Sequence, residues 1–287
     1  MIYSTLKIPS KLTALACIAI TTSLLASPAV YEGFDMETFP AQLGSDDARF
    51  GETSQGWHSD WHSMEGNSRM LRDDLAIDGL HSANGLLSSR GKAVAVRQLD
   101  ETFSGDVFGS FRVRGARMRP NSMLGLLFAL PGADPVNPRS SLISFLAARW
   151  GSELGAVLVG GRPAQVESGE AIQGNETALV LWKIENLAEP GRTSHPVIQM
   201  WILNEEQATH FAASGMQETD LNGAELGSAK DQVMQYVRVA LRDSRVTLAR
   251  GLIVSCFSNE AGKADFDEIR ISRESLADAA GVLQSAP

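Results

Sequence analysis

The chain has 287 residues, 44% of them hydrophobic and 21% charged, with a formal net charge of −9. Such a composition fills a real core and excludes gross disorder. The acidic balance argues against a nucleic-acid partner and against electrostatic docking on anionic lipid, since both need a basic face.

The N-terminus reads as an export signal. Lys7 and Lys11 flank a start with no acidic residue, and Leu12 to Ala26 runs LTALACIAITTSLLA. Ser27-Pro28-Ala29 then supplies small residues at −3 and −1 for cleavage after Ala29. The alternative is an uncleaved anchor, for which the apolar run is marginal in length. Cleavage removes two lysines and takes the charge from −9 to −11. Cys17 after Leu15-Ala16 faintly suggests a lipidation site, but position −3 is Ala14 and the apolar run continues past it. The processed chain keeps one thiol, Cys256, so it forms no internal disulfide. In the apolar run GLIVSCF that cysteine reads as a small buried hydrophobe. The expected location is secreted, periplasmic or cell-surface, with no stable membrane span after processing. The expected division is a signal peptide over 1–29, one β-sandwich over 30–276 and a tail over 277–287.

Residues 56–62 read GWHSDWH. In an extended strand His58, Asp60 and His62 share a face, but at about 3.3 Å per residue the two histidines stand roughly 13 Å apart. They cannot share a zinc ion, whose bonds to nitrogen are about 2 Å long. The flanking Gly56 and Gly66-Asn67 disfavour a helix that would bring them together.

Further along, Val107 to Arg114 alternates apolar Val107, Phe111 and Val113 with polar Ser110, Arg112 and Arg114. A period of two means a strand with one dry face. Tyr236 to Arg242 repeats the pattern. Residues 123–130, 142–146, 154–160, 178–184, 197–203 and 252–257 are apolar on both faces and fit strands covered on both sides. Turn-forming residues fill 131–141, 160–177 and 185–196, which read as hairpin loops. The long polar connection from Asn204 to Gln232 leaves room for a short helix. About a dozen short strands with turns between them predict an all-β, two-sheet antiparallel jelly-roll sandwich.

The C-terminal ADFDEIRISRESLADAAG resembles the closing strand and tail of LamG-like jelly rolls. YEGFD (31–35), the Gly56-Trp57-x-x-x-Trp61 segment, GSFRVR, LVLWKI, VIQMWILN and YVRVALR follow in the order seen in exported bacterial proteins of that kind. Asn204 is followed by Glu205 where the family pattern has proline. The resemblance implies a concanavalin A-like lectin/glucanase fold and no established activity. It also implies that Trp57 and Trp61 are structural, packing where the first strand enters the sandwich.

Asp267 shares a strand face with Ile269 and Ile271, so its carboxylate points inward and needs a partner. Two partners are open: backbone amides or an arginine, which would make it a structural pin, or calcium. No other cofactor is implied. Paired carboxylates for glycan hydrolysis are absent in the E-x-D-x-x-E spacing of glucanases on this fold, although a pair from distant strands stays open. Trp150 and Trp201, with Gln199 on the Trp201 face, are the best placed to stack on and hydrogen-bond a sugar; core packing is the competing role for each ring. Three functions follow. The first is an exported non-catalytic module binding a glycan or surface polymer, the second a structural or adhesive cell-surface protein without a small ligand, and the third a glycan hydrolase or lyase.

Overall fold

The computed structural model describes residues 28–34, 41–43, 54–117, 122–134, 137–148, 155–163, 166–169, 175–223 and 233–283. Its strands in chain order are β1 Val30–Glu32, β2 Ala41–Gln42, β3 His62–Leu71, β4 Leu86–Gln98, β5 Gly105–Ala116, β6 Met123–Ala129 and β7 Ile143–Ala148. They continue with β8 Ala156–Val159, β9 Arg162–Pro163, β10 Val166–Gly169, β11 Thr177–Leu187, β12 Val197–Asn204, β13 Gln235–Ala240 and β14 Ile253–Ser272. Helices α1 Glu205–Ala213 and α2 Glu218–Gly223 follow β12, and α3 Leu276–Ala280 follows β14. No described helix is long and apolar enough to cross a membrane.

Every pairing is antiparallel, and two long strands carry the architecture from one layer to the other. The first half of β14 pairs with β6 and with the second half of β4. Its second half pairs with β5, β1 and the first half of β4. The β14–β4 register shifts between Ser258 and Ala264, where bulges let the strand bend out of one sheet into the next. One sheet therefore runs β10-β13-β12-β11-β5-β14 and the other β14-β6-β7-β8-β9. The result is an all-β, two-sheet antiparallel jelly-roll sandwich.

The main core lies between the layers. Val180, Trp182 and Ile184 of β11 and Ile198, Met200 and Ile202 of β12 are all fully buried. Phe128 of β6 and Phe145 of β7 come from the opposite layer: Trp182 stacks on Phe145 at 4.7 Å and meets Phe128 edge-on at 5.8 Å. Burying a side chain of this size contributes about 1.5–3 kcal/mol. Gly109 of β5 lies beneath this indole, and a Cβ there would stand 1.9 Å from the ring.

A second apolar layer lies on the outer face of the same sheet. Leu179, Leu181, Trp201 and Leu203 point outward and are covered by Ala208, Phe211 and Ala212 of α1, by Leu276 and Ala280 of α3, and by Ile77 and Leu80. This explains why 178–184 and 197–203 are apolar at every position. The polar stretch after β12 starts α1 with a capping box: Asn204 Oδ1 accepts from the Gln207 amide at 2.9 Å, and Gln207 Oε1 accepts from the Asn204 amide at 3.0 Å. The glutamate that departs from the LamG-like pattern, Glu205, is thus the first residue of a helix.

Sequence reading also omitted elements. β3 and β4 carry polar residues and bulges, HSMEGNSRML and LLSSRGKAVAVRQ, which break the alternation. The 160–177 loop contains β9 and β10. The tail opens with α3, capped by Ser275 and closed by Gly281 at φ 73°, with Leu276, Ala279 and Ala280 buried.

Candidate functional site

The sugar-stacking face expected on β12 is covered. Trp201 is 0% exposed beneath the helical layer, with its ring centroid 5.7 Å from that of Tyr236. Gln199 is also buried and donates to the Tyr236 hydroxyl at 3.0 Å. Neither presents a surface to a ligand in this structure, because the outward face of β11 and β12 is apolar and takes α1 and α3 as its lid. Trp150 lies outside the described residues.

Asp267 sits at a bulge in β14, between the register positions Asp267 and Arg270. Its Oδ2 accepts the Leu75 amide at 2.9 Å and its Oδ1 accepts the Glu268 amide at 2.8 Å. Burial, then the neighbouring Glu268 charge, push its carboxyl well above the usual range. Glu268 adopts φ 51°, a left-handed conformation costing a non-glycine residue about 1–2 kcal/mol. It is held there by Tyr31 Oη at 3.1 Å, the Ala83 amide at 2.6 Å and Arg270 Nη2 at 2.9 Å. For Glu268 burial pushes upward, but His81, Arg270 and Arg112 outweigh it and the net shift is downward. Arg112 completes the network by donating to the Leu75 and His81 carbonyls at 3.2 and 2.5 Å. Together these groups bind the segment 72–85 as a strap across the sheet. Among the described residues, no three His, Cys, Asp or Glu side chains gather as a metal set.

The GWHSDWH stretch frames the entry of β1. Trp61 is buried and donates to Glu32 Oε2 at 2.8 Å, while half-buried Trp57 donates to the Tyr31 carbonyl at 2.9 Å. The two indole centroids are 5.6 Å apart. Glu32 also forms an ion pair with Arg97, and both are buried. Burial pulls the Arg97 guanidinium below its usual pKa, and Glu32 opposes that. His58 faces Asp100 at 3.6 Å, and His62 begins β3 on the surface.

A cleft is open on the outer sheet face beyond the strap. It has a volume of about 420 Å³ and is lined by Gly66, Asn67, Arg69 and Leu71 of β3, Ser88 and Arg90 of β4, and Lys263 of β14. Register places these side chains together. Asn67 lies opposite Arg90, and Arg69, Ser88, Asp265 and Arg114 form one row across β3, β4, β14 and β5. Three strand spacings make that row about 14 Å long.

The charges of this row are unequal in their pairing. Buried Asp265 accepts on one oxygen, Oδ2, from Arg114 Nε and Nη2 at 3.1 and 2.8 Å and from Lys263 Nζ at 2.8 Å. Its Oδ1 is enclosed and has no hydrogen-bond partner among the described residues. Asp73, at the start of the strap, lies 3.6 Å from Arg114 Nη2. Arg69 and Arg90 are exposed, and among the described residues neither takes part in an ion pair. Sequence reading missed this site. The only available signal was the unusual density of arginine, serine and glycine in two strands that it did not recognise.

No family model matches the chain, and no curated protein matches it. Solved structures do. One is an alginate lyase, Aly36B, in complex with alginate tetrasaccharide, at 11% identity and a TM-score of 0.41 over 88% of this chain and 99% of that one. Another is a protein of unknown function with a galectin-like fold from Bacillus subtilis, at 14% identity and a TM-score of 0.38 over 75% and 89%. A third is the carbohydrate recognition domain of Emp47p, at 8% identity and a TM-score of 0.35 over 71% and 87%.

Proposed function

We propose that this is an exported, non-catalytic β-sandwich module of LamG-like type that binds a glycan or a surface polymer along the cleft of β3, β4 and β14. One observation carries the reading. Arg69 and Arg90 stand exposed, without counter-ions among the described residues, in an open cleft that also offers Asn67, Ser88 and Lys263. Exposed guanidinium groups of this kind are preferred partners of planar oxyanions, and asparagine and serine bond hydroxyls in either direction. The site lies on paired strands of the sheet, so its side chains are held in place before a ligand arrives.

A glycan array probed with the purified protein and with the Arg69→Ala/Arg90→Ala variant tests the reading. Binding that depends on the two arginines is expected. Silence across the array would refute it and leave the structural or adhesive role. The enzyme reading has a separate check: new reducing ends or unsaturated products from a polysaccharide panel would replace a binding module with a catalyst.

A further inference from the structure

We propose that the ligand of the cleft is an acidic glycan, a hydroxyl-rich chain bearing spaced carboxylate or sulfate groups. The assignment rests on the cleft being the polymer-binding site.

Charge is the first reason. In a chain of net charge −9, two guanidinium groups that have no ion pair among the described residues, with a half-buried lysine beside them, concentrate positive potential in one place. A neutral glycan gains only single hydrogen bonds from them, whereas a carboxylate or sulfate adds charge and can take two parallel N–H bonds from an arginine. Arg114 is already engaged by two carboxylates: buried Asp265 takes Nε and Nη2 on one oxygen, and Asp73, 56% exposed, approaches at 3.6 Å. A ligand carboxylate would meet Arg114 as Asp73 does.

The acceptors are the second reason, and they separate glycans from other polyanions. The row from Arg69 to Arg114 has cations at its ends and Ser88 and Asp265 between them. Asn67 and Ser88 line the cleft with groups that both accept and donate, whereas the second Asp265 oxygen is enclosed and out of a ligand's reach. A continuous run of phosphate oxygens, which are acceptors only, leaves the acceptor capacity of Asn67 and Ser88 unused. Nucleic acid also packs its charges far more densely than this row, about one per 1.7 Å of duplex. A polysaccharide alternates anionic groups with hydroxyl donors, which matches the alternation in the cleft. Asp265 anchors Lys263 and Arg114 from one oxygen and so fixes their place beside the cleft.

The test measures binding of the full chain to polygalacturonate, dextran sulfate, neutral dextran, polyacrylate and polyphosphate by affinity electrophoresis at two salt concentrations. Polygalacturonate or dextran sulfate is expected to bind, and which of the two binds tighter identifies the anion. That binding should weaken at higher salt and fall about tenfold or more in Arg69→Ala/Arg90→Ala, whose exposed substitutions leave the fold intact. Polyacrylate and polyphosphate, charged but without hydroxyls, should bind more weakly at matched charge. In Asn67→Ala/Ser88→Ala that preference should vanish, with the circular dichroism spectrum as a check of folding. Neutral dextran binding as tightly as the acidic polymers would overturn the inference while leaving the polymer-binding reading in place. Polyacrylate or polyphosphate binding as tightly as polygalacturonate would overturn the role of the hydroxyl acceptors. Absence of binding to every polymer would remove both readings.

Discussion

The Leu75 amide donates to the Asp267 carboxylate at 2.9 Å, across 192 residues of sequence. This bond fastens the strap 72–85 to the middle of the closing strand. The strap in turn leaves β3 at Leu71, on the rim of the basic cleft. A carboxylate that sequence reading placed inward, with calcium as one partner, therefore spends both oxygens on backbone amides and stands against Arg112.

Replacing Asp267 with alanine leaves the Leu75 and Glu268 amides unpaired and removes a counter-charge from buried Arg112. A loss of about 3 kcal/mol is expected, and a smaller one for Asp267→Asn, which keeps one acceptor. Urea unfolding measures it as a lower midpoint, and proteolysis within 72–85 reports whether the strap opens first. Calcium at millimolar concentration shifting the wild-type midpoint would instead show that the carboxylate also serves an ion.

Glu32 and Arg97 make a buried ion pair, with Phe34, Ser54 and Trp61 donating to the same carboxylate. Removing one partner strands the other charge. Glu32→Gln or Arg97→Met should each cost about 3–5 kcal/mol. The double variant should lose less than the sum of the singles, and a double-mutant cycle of unfolding free energies reads that coupling directly.

Alkaline stability depends on Tyr31. Burial, followed by the Glu268 charge, raises its phenol far above the usual value of about 10. The folded chain then keeps a proton that the unfolded chain has already released. Its contribution is complete below about pH 10 and declines as pH rises further. Lys183 acts in the same direction: burial pulls its pKa down, but the hydrogen bonds it donates to Glu218 and Glu185 outweigh this and raise it. Unfolding free energy measured from pH 8 to 11.5 should fall at the top of the range. It should fall less steeply in Tyr31→Phe, although that variant starts lower for want of the bond to Glu268.

Gly109 has no room for even a methyl group. Its added carbon would meet Trp182, and that indole is fixed between Phe145 and Phe128. Gly109→Ala should cost at least about 3 kcal/mol or abolish soluble expression, at the upper end for overpacking. A thermal melt settles it, with Gly191→Ala as a contrast. Gly191 has open space around it, and its penalty comes only from φ 81°.

Trp201→Ala should lose about 3–5 kcal/mol through the cavity it leaves under α1. Any loss of glycan binding in that variant is expected to track unfolding measured by near-ultraviolet circular dichroism. Binding lost by a fully folded Trp201→Phe variant would return that position to the ligand site.

Sequence alone determined the strands with clean apolar patterns but not β3 and β4, because alternation along an extended chain is local and bulges break it. Val107, Phe111 and Val113 declare a dry face within eight residues, and the doubly apolar 178–184 and 197–203 announce cover on both sides. The same local evidence could not say that the outer cover is a helix beginning at Asn204, so Trp201 looked as available as it is hidden. Nor could it assemble the cleft. Arg69, Ser88, Asp265 and Arg114 come from four strands spread over almost two hundred residues, and only the register between those strands sets them in one row. The tertiary structure decided the site because neighbours across a sheet are chosen by pairing and bulges, which no stretch of sequence contains by itself.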